Sequence, residues 1–227
     1  YISILMKIST KLLTFNVPHS FKNFEIQAFG IDKYGKTYSI IIKDMKPFFY
    51  VRIGNDWTDD DCEAFINDII DKLVVLQMQK QKNYDNPEKT KEYMDNWFDI
   101  NVDFTVVNKR KLYGFDNKQQ HQFIKFEFKS IITFYKLKNL WYTSRENTKT
   151  KKTTKIQIKY DFNDTQVEIY EAEIPPLLRF FHIRDIAPCG WVSLDRSKFK
   201  LNIKSRKKTH CDVEGSINMK YITADND

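Results

Sequence analysis

Glycine, proline and cysteine are all scarce in this sequence of 227 residues. Six glycines and six prolines are too few for a collagen-like chain, a Gly/Ser linker or a Pro-rich disordered segment. The glycines are scattered, so neither GxGxxG nor GxxxxGK[ST] occurs, and we expect no Rossmann or P-loop nucleotide site. The three cysteines lie far apart without CxxC spacing, which predicts free thiols in an intracellular, reducing compartment.

Long apolar runs are also missing. None approaches the roughly 18 residues that span a bilayer, and we therefore predict no membrane partner. The opening YISILMKISTKLL has neither the cationic lead nor the small-residue cleavage site of a signal peptide. The first methionine is Met6, and the chain stops at KYITADND without a closing element. We expect both ends to be cuts in a longer protein.

Aromatic and basic residues are plentiful. Aromatics make up 15% of the chain and apolar residues 41%, enough for the core of one large domain or two small ones. The formal net charge is +7, and much of the excess lies in two runs. These runs are Lys149, Lys151, Lys152, Lys155 and Lys159, and Lys198, Lys200, Lys204, Arg206, Lys207 and Lys208. Each run is either a solvated surface or a phosphate-facing one.

Strand and helix patterns alternate along the chain. Alternating or mixed apolar patterns predict strands at 24–31, 38–42, 46–53, 97–107, 121–128, 167–172, 191–194 and 199–203. Apolar residues three and four positions apart predict helices at 58–80, 130–141 and 176–183. The polar, cationic stretch 142–155 predicts a loop or subdomain boundary. This order predicts an α+β (mixed α/β) fold, with a mainly antiparallel sheet and helices packed on it.

The triplet Asp212-Val213-Glu214 is the strongest candidate for chemistry. Residues two apart in a strand point to the same side, so the triplet could present two carboxylates to metal ions, as proofreading exonucleases do. However, the preceding SRKKTHC is polar, Gly215 is expected to break the strand, and the only later acids are Asp225 and Asp227. We favour a surface turn here, and we predict no catalytic residue and no metal ligand.

Aromatic residues on strands offer a second functional interpretation. The phrases KPFFYV and IKFEF fit either a buried core, the more common case, or the base-stacking surface of an RNA-recognition sheet. No GxSxG motif occurs, so nucleophilic catalysis of that kind is not expected. The sequence patterns alone therefore indicate a basic α+β protein without a recognisable group of catalytic residues.

Three ordered phrases resemble the amino-terminal part of family B (delta-like) DNA polymerases, above all those of large nucleocytoplasmic DNA viruses. They are FEIQAFGIDKYGKTYSIIIKDMKPFFYVRI, KLYGFDNKQQHQFIKFEFKS and YEAEIPPLLRFFHIRDIAPCGWVSL. The later phrase THCDVEG resembles one that precedes the first exonuclease motif of the family. The resemblance implies that the chain stops just short of that motif, and the polymerase phrases DxxSLYPS and YGDTDS are absent.

The resemblance implies a parent enzyme that is a replicative DNA-directed DNA polymerase with 3′→5′ proofreading and that uses Mg²⁺. This fragment, with no cofactor of its own, would be an inactive scaffold along the single-stranded template path. Residues 1–165 would form the N-terminal domain, and 166–227 the lead-in to a ribonuclease H-like exonuclease domain. Implied partners are single-stranded template, primer-template DNA, the remaining exonuclease and polymerase domains and a sliding clamp, in the host cytoplasm or nucleus.

Specific residue expectations follow from the resemblance. We expect Lys204, Arg206, Lys207 and Lys208 to face DNA phosphates. Arg179 lies among apolar neighbours in PLLRFFHI, and we expect it to form a structural ion pair. Two alternatives stay open: a stand-alone, non-enzymatic module that binds single-stranded nucleic acid, and a metal-dependent nuclease that uses the carboxylates at 212 and 214.

Overall fold

The structure is a computed structural model that describes residues 7–18, 22–80, 86–111, 117–146, 153–203 and 207–225. Contacts divide the chain into two compact units. Unit 1 comprises Tyr1–Pro47 and Ile174–Asp227, and unit 2 comprises Phe48–Glu173. The division of the parent protein into 1–165 and 166–227 concerns polymerase domains and stays a prediction.

Unit 1 is built on a seven-stranded sheet. Its strands are β1 (Lys7–Asn16), β2 (Ile26–Ile31), β3 (Thr37–Lys43), β11 (Trp191–Asp195), β12 (Lys200–Leu201), β13 (Val213–Asn218) and β14 (Ile222–Ala224), and its helix is α4 (Pro176–Arg184). The strand order is β12-β13-β3-β2-β1-β11-β14. Among the described strands of this sheet, β13 and β3 pair in parallel and the other neighbours are antiparallel.

The apolar face of this sheet follows the alternation of the sequence. Ile26 and Ala28 on β2, and Ile40 and Ile42 on β3, are all at most 2% exposed. They lie opposite one another in the antiparallel register of the two strands, so their side chains share one face. The predicted hairpin at 24–42 and the predicted strand at 191–194 are therefore confirmed, and β12 is shorter than the predicted 199–203.

Unit 2 contains a five-stranded antiparallel sheet with the order β5-β6-β4-β10-β9. Its strands are β4 (Phe48–Arg52), β5 (Val102–Arg110), β6 (Gln120–Phe128), β9 (Tyr160–Phe162) and β10 (Thr165–Tyr170). A separate two-stranded sheet pairs β7 (Tyr142–Glu146) with β8 (Thr153–Gln157), and the helices are α1 (Asp59–Lys80), α2 (Pro87–Asn101) and α3 (Ile131–Lys138).

Phe49 is the centre of the unit 2 core. Its ring centroid lies 5.0–6.0 Å from those of Phe126, Phe128, Phe134 and Trp141. These five side chains are at most 1% exposed, so the core interpretation of KPFFYV and IKFEF is correct for Phe49, Phe126 and Phe128. Aromatic packing of this kind stabilises a core beyond simple area burial.

The predicted helices begin at residues that suit a helix N-terminus. Thr58 and Asp61 form a reciprocal cap at the start of α1: the Thr58 amide and hydroxyl each donate to the Asp61 carboxylate at 2.8 Å, and the Asp61 amide donates to Thr58 Oγ1 at 3.3 Å. Ser130 Oγ accepts from the Thr133 amide at the start of α3. Pro176 occupies the first turn of α4, where its missing amide costs nothing.

Two predicted boundaries are wrong. Residues 97–101 belong to helix α2 and not to a strand; this helix begins after Asn86, whose side chain caps it by accepting from the Lys89 amide. Met94 and Phe98, one turn apart, then bury its apolar face. The stretch 142–155 is not a loop, since β7 and β8 pair within it. Every residue of β8 is exposed, so the strand shows no apolar alternation.

The α+β class, with mainly antiparallel sheets and helices, is confirmed. Lysines 149, 151 and 152 of the first basic run lie outside the described residues. Lys155 donates to Asn139 Oδ1 at 2.8 Å, and Lys159 is exposed. No helix in the described ranges has both the length and the apolar character to cross a membrane.

We expect Phe49→Ala to lower the free energy of unfolding by about 3–5 kcal/mol, because it leaves a cavity among four aromatic rings. Phe104→Ala is the matched control, since Phe104 is 41% exposed on β5 and its loss should cost about 1 kcal/mol or less. Urea unfolding followed by circular dichroism measures both. Equal losses for the two variants would contradict this assignment of the core.

Candidate nucleic-acid interface

Asp212 fastens the start of β13 to the start of β3. Its carboxylate accepts from the amide and the hydroxyl of Thr37, both at 2.8 Å, and its own amide donates to Thr37 Oγ1 at 3.0 Å. The hydrogen bonds from Thr37 lower the pKa of Asp212 below its ordinary value. The predicted surface turn is therefore wrong, because a paired strand begins at Val213 and runs to Asn218.

Glu214 is a buried anchor for the segment that precedes β13. It is 4% exposed, and its carboxylate accepts from Asn202 Nδ2, the amides of Lys208 and Thr209, and Thr209 Oγ1, at 2.8–3.1 Å. Burial by itself raises the pKa of Glu214, but these hydrogen bonds outweigh it and hold the pKa below its usual range. The charged carboxylate thus fixes the chain on both sides of residues 204–206.

Gly215 continues the strand that it was expected to break. A Cβ at this position would lie 2.5 Å from the Lys200 carbonyl oxygen and 2.7 Å from the Phe199 ring. Those distances are shorter than any side chain tolerates, so glycine is required for β12 to approach β13.

The carboxylates of the triplet do not fit a divalent-metal site. The Asp212 carboxylate accepts donors from Thr37, and that of Glu214 is saturated by donors from its own segment. Within the described residues, no group of three or more His, Cys, Asp or Glu side chains is arranged to hold a metal ion. The nuclease alternative gains no support from this part of the chain.

The predicted phosphate-facing residues fall into two groups. Lys204 and Arg206 lie outside the described residues. Lys207 is half-buried, and its ammonium donates to the carbonyl oxygens of Cys211, at 3.0 Å, and Asp212. This ammonium thus holds the turn before β13, which is a structural task that the sequence did not indicate.

Lys208 and Arg179 differ in exposure. The side chain of Lys208 is exposed, while its main-chain amide is anchored by Glu214. The Lys208 side chain therefore extends into solvent from a main chain that Glu214 holds in place. Its contact with DNA stays a prediction. Arg179 is 7% exposed on α4, which leaves little of it for a phosphate, and the ion pair expected for it also stays a prediction.

A cavity of about 910 Å³ lies in unit 1 beside the turn between β2 and β3. We call it the hairpin cavity. Its basic lining residues are Lys7, Lys33, Lys36 and Arg196, its aromatic ones Tyr34, Tyr38, Trp191 and Phe199, and its acidic ones Asp32 and Asp225. Four basic groups against two acidic ones leave a net charge of +2 on the lining.

The cavity exists because β1 extends beyond β2. Residues 7–10 of β1 pair with β11, whereas the pairing with β2 begins at Lys11 opposite Ile31. The turn that follows Ile31 therefore faces an edge of β1 that is not paired with β2. Space is left there, and it is lined by Lys7 and Ser9 on one side and by Lys33 and Lys36 on the other.

Both acidic lining residues are held by protein donors. Asp32 accepts from the amides of Tyr34 and Lys36 at 2.9 Å and from the Tyr38 hydroxyl at 3.2 Å. Burial, together with the Asp32 charge, raises the pKa of Tyr38 to about 12. Asp225 accepts from the Ser9 hydroxyl. The basic side chains are consequently the main charged groups of the cavity that remain to bind a ligand.

Sequence reasoning missed this cavity because it treated the segment DKYGK only as turn chemistry. One signal was available: an aromatic residue stands between two lysines at the apex of a hairpin. Tyr34 is 82% exposed, which is unusual for so large a ring. The contribution of Trp191 and Arg196 could not be foreseen, since it depends on pairing between strands that are distant in sequence.

We expect Glu214→Gln to lower the free energy of unfolding by about 1–3 kcal/mol at pH 7, since an amide group would face donors that now meet a carboxylate. The folded pKa of Glu214 is lowered, so its contribution is present above the unfolded pKa of about 4.3 and is lost as the pH falls through the folded value. Urea unfolding at pH 7 and pH 3 measures the difference, which should shrink in acid.

Glu25→Gln is the control for this experiment. Glu25 lies in the same unit and forms a surface ion pair with Lys43 at 3.7 Å, which is worth little. A loss for Glu214→Gln that matches the control, or that grows in acid, would contradict the anchoring role.

Three viral DNA polymerases are similar to this chain. That of Phaeocystis pouchetii virus is 34% identical over 201 residues, 88% of this chain and 17% of that protein. Those of Acanthamoeba polyphaga mimivirus and Pyramimonas orientalis virus are 27% and 25% identical, over 90% and 83% of this chain. The chain spans only 10–17% of the length of these relatives.

The fold has a counterpart among solved structures. The family B DNA polymerase from the hyperthermophilic archaeon Pyrobaculum calidifontis matches 92% of this chain with a TM-score of 0.53, over 20% of its own chain. Its sequence identity is 14%, so this likeness concerns the fold. No protein-family model matches the sequence. The resemblance drawn from the three phrases is confirmed: the chain belongs to the viral DNA polymerases as a segment of such a protein, and its fold is that of a family B DNA polymerase.

Proposed function

We propose that this chain is the N-terminal part of a DNA-directed DNA polymerase with 3′→5′ proofreading, and that it guides the single-stranded template without performing chemistry. The names of its viral relatives support the parent activity. The carboxylates of Asp212 and Glu214, the pair considered for metal chemistry, are engaged by protein donors, which supports a structural role for this pair. The parent would bind Mg²⁺ with acids outside this chain.

The positive charge of the hairpin cavity is the observation that carries the template-binding role. Its four basic residues exceed its two acidic ones, and both acids are occupied by protein donors. Asp212 and Thr37 join the segment of Lys208 to the same hairpin. A surface of this kind attracts a polyanion and holds it through phosphate contacts.

The remaining assignments describe the parent protein. We propose that residues 1–165 form its N-terminal domain and 166–227 the approach to its exonuclease domain. Its partners would be primer-template DNA, its own further domains and a sliding clamp. Cys62, Cys189 and Cys211 are free thiols, which accords with a reducing compartment of the host. The nucleotide sequence after the codon for Asp227 separates this proposal from a stand-alone module: it should encode an apolar strand carrying Asp-Ile-Glu.

We expect the triple variant Lys33→Ala, Lys36→Ala, Arg196→Ala to weaken binding of a labelled single-stranded oligonucleotide. The plot of log affinity against log salt should become shallower by about 2, because each single-strand phosphate contact contributes about 0.7 to that slope. Fluorescence anisotropy over a salt series measures both quantities.

The matched control for the triple variant is Lys89→Ala, Lys129→Ala, Lys159→Ala. It removes the same charge from exposed positions of unit 2. If the two variants bind with the same affinity and slope, general charge and not the hairpin cavity attracts the strand, and the proposed site is wrong.

Lys208→Ala tests the basic segment without unfolding it. Only the main-chain amide of Lys208 engages Glu214, so the variant should keep the stability of the parent chain. We expect the salt slope for the same oligonucleotide to fall by about 0.7, the value of one phosphate contact. Lys207→Ala is a poor substitute, because its ammonium holds the turn before β13. An unchanged slope for Lys208→Ala would remove this residue from the interface.

A further inference from the structure

We propose that the hairpin cavity takes in an unpaired nucleobase, which stacks on the indole of Trp191, so that unit 1 selects single-stranded over double-stranded DNA. This inference rests on the proposed function and names the part of the strand that the cavity recognises. It assigns a base-stacking role to an aromatic residue outside the basic segment.

Trp191 is exposed where the other tryptophans are not. It is 37% exposed and lines the cavity, whereas Trp57 and Trp97 are half-buried and Trp141 is fully buried. A large ring left at the surface of a cavity forgoes burial that would stabilise the fold. An aromatic ligand that covers the ring would recover that contribution.

The indole is carried by a rigid part of the sheet. Trp191 begins β11, which pairs with β1 on one side and β14 on the other. Its carbonyl oxygen accepts from the Asp225 amide at 2.9 Å, and the carbonyl of the preceding Gly190 accepts from the Leu12 amide at 3.0 Å. Backbone bonds on both sides fix the main chain that carries the ring, so little backbone order has to be gained when a base stacks on it.

The charges around Trp191 favour a base at this point over a phosphate. Asp225 lines the cavity together with Trp191, and its carboxylate, which accepts from the Ser9 hydroxyl, offers a phosphate no donor. A base needs no counter-charge to stack on an indole. The basic groups of Lys7, Lys33 and Lys36 elsewhere on the lining would then meet the phosphates of the same strand.

Single-stranded nucleic acid is the ligand class that combines these features. Aromatic side chains on which bases stack, together with a positively charged groove, are the usual components of single-strand sites. In a duplex the bases are stacked and paired, and none can reach the indole without being extruded. The volume of about 910 Å³ lies within the range of roughly 300–1,000 Å³ that small-molecule pockets occupy, which is large enough for a base with its sugar.

The test compares Trp191→Leu and Trp191→Phe with the unmodified chain. Loss of one stacked base weakens single-strand binding by about 5- to 100-fold, and we expect this for Trp191→Leu with an unchanged salt slope. Trp191→Phe keeps an aromatic face and should retain most of the affinity. Duplex DNA of the same length should bind all three chains equally. Anisotropy with labelled strands measures each affinity.

A second readout begins with the fluorescence of the unmodified chain. Trp191 is the only tryptophan of unit 1, and a base stacked on it quenches its fluorescence. A single-stranded oligonucleotide should quench the emission of the unmodified chain, and Trp191→Phe should abolish that change. An oligonucleotide of abasic sugar-phosphate should bind the unmodified chain and Trp191→Leu equally, without quenching.

The outcomes separate this inference from the proposed function. If the unmodified chain binds single strands but Trp191→Leu binds them equally well and no quenching occurs, the stacking role is wrong and the template-binding role stands. If the unmodified chain binds neither single-stranded nor abasic oligonucleotides, the template-binding role fails, and the stacking role fails with it.

Discussion

The parallel pairing of β13 with β3 is the constraint on which unit 1 depends. It joins residues 213–218 to residues 38–43, and it is fixed at its start by the carboxylate of Asp212 on Thr37. One step further along, Glu214 gathers donors from the segment in front of β13. In the sequence these two acidic side chains suggested metal chemistry, but in the structure they act as hydrogen-bond acceptors. This role requires that each carboxylate stays charged and keeps its protein donors.

Carboxylates that accept hydrogen bonds from protein groups also explain why the lining of the hairpin cavity is positive. Asp32 closes the hairpin turn by accepting two amides and a hydroxyl, and Asp225 accepts from Ser9. Carboxylates that stabilise turns in this way are oriented toward their donors, whereas the neighbouring lysines extend into solvent on flexible stems. A modest excess of basic residues in the composition therefore becomes a locally positive cavity, and this is the property on which the proposed template-binding role rests.

Much of the fold could be predicted because its strands are half-buried and its main helices are capped. The alternation around Ile26 and Ile40 and the cap at Thr58 are local signals, and each specifies its element without tertiary information. The exposed strand β8 leaves no such signal, and the Asn86 cap was overlooked in a polar stretch. The Trp191 side of the hairpin cavity could not be predicted, because Trp191 and the turn line the same space only through the long-range pairing of β1 with β11.

The division of the chain has a consequence for biosynthesis. Unit 2 is one continuous stretch of 48–173, but unit 1 combines residues before 48 with residues after 173. All of unit 2 is therefore synthesised before the later strands of unit 1 are made. Until then β3 offers an open edge, and the exposed row of backbone groups on such an edge invites association with other chains. Chaperone protection of nascent polypeptide should matter most during this interval.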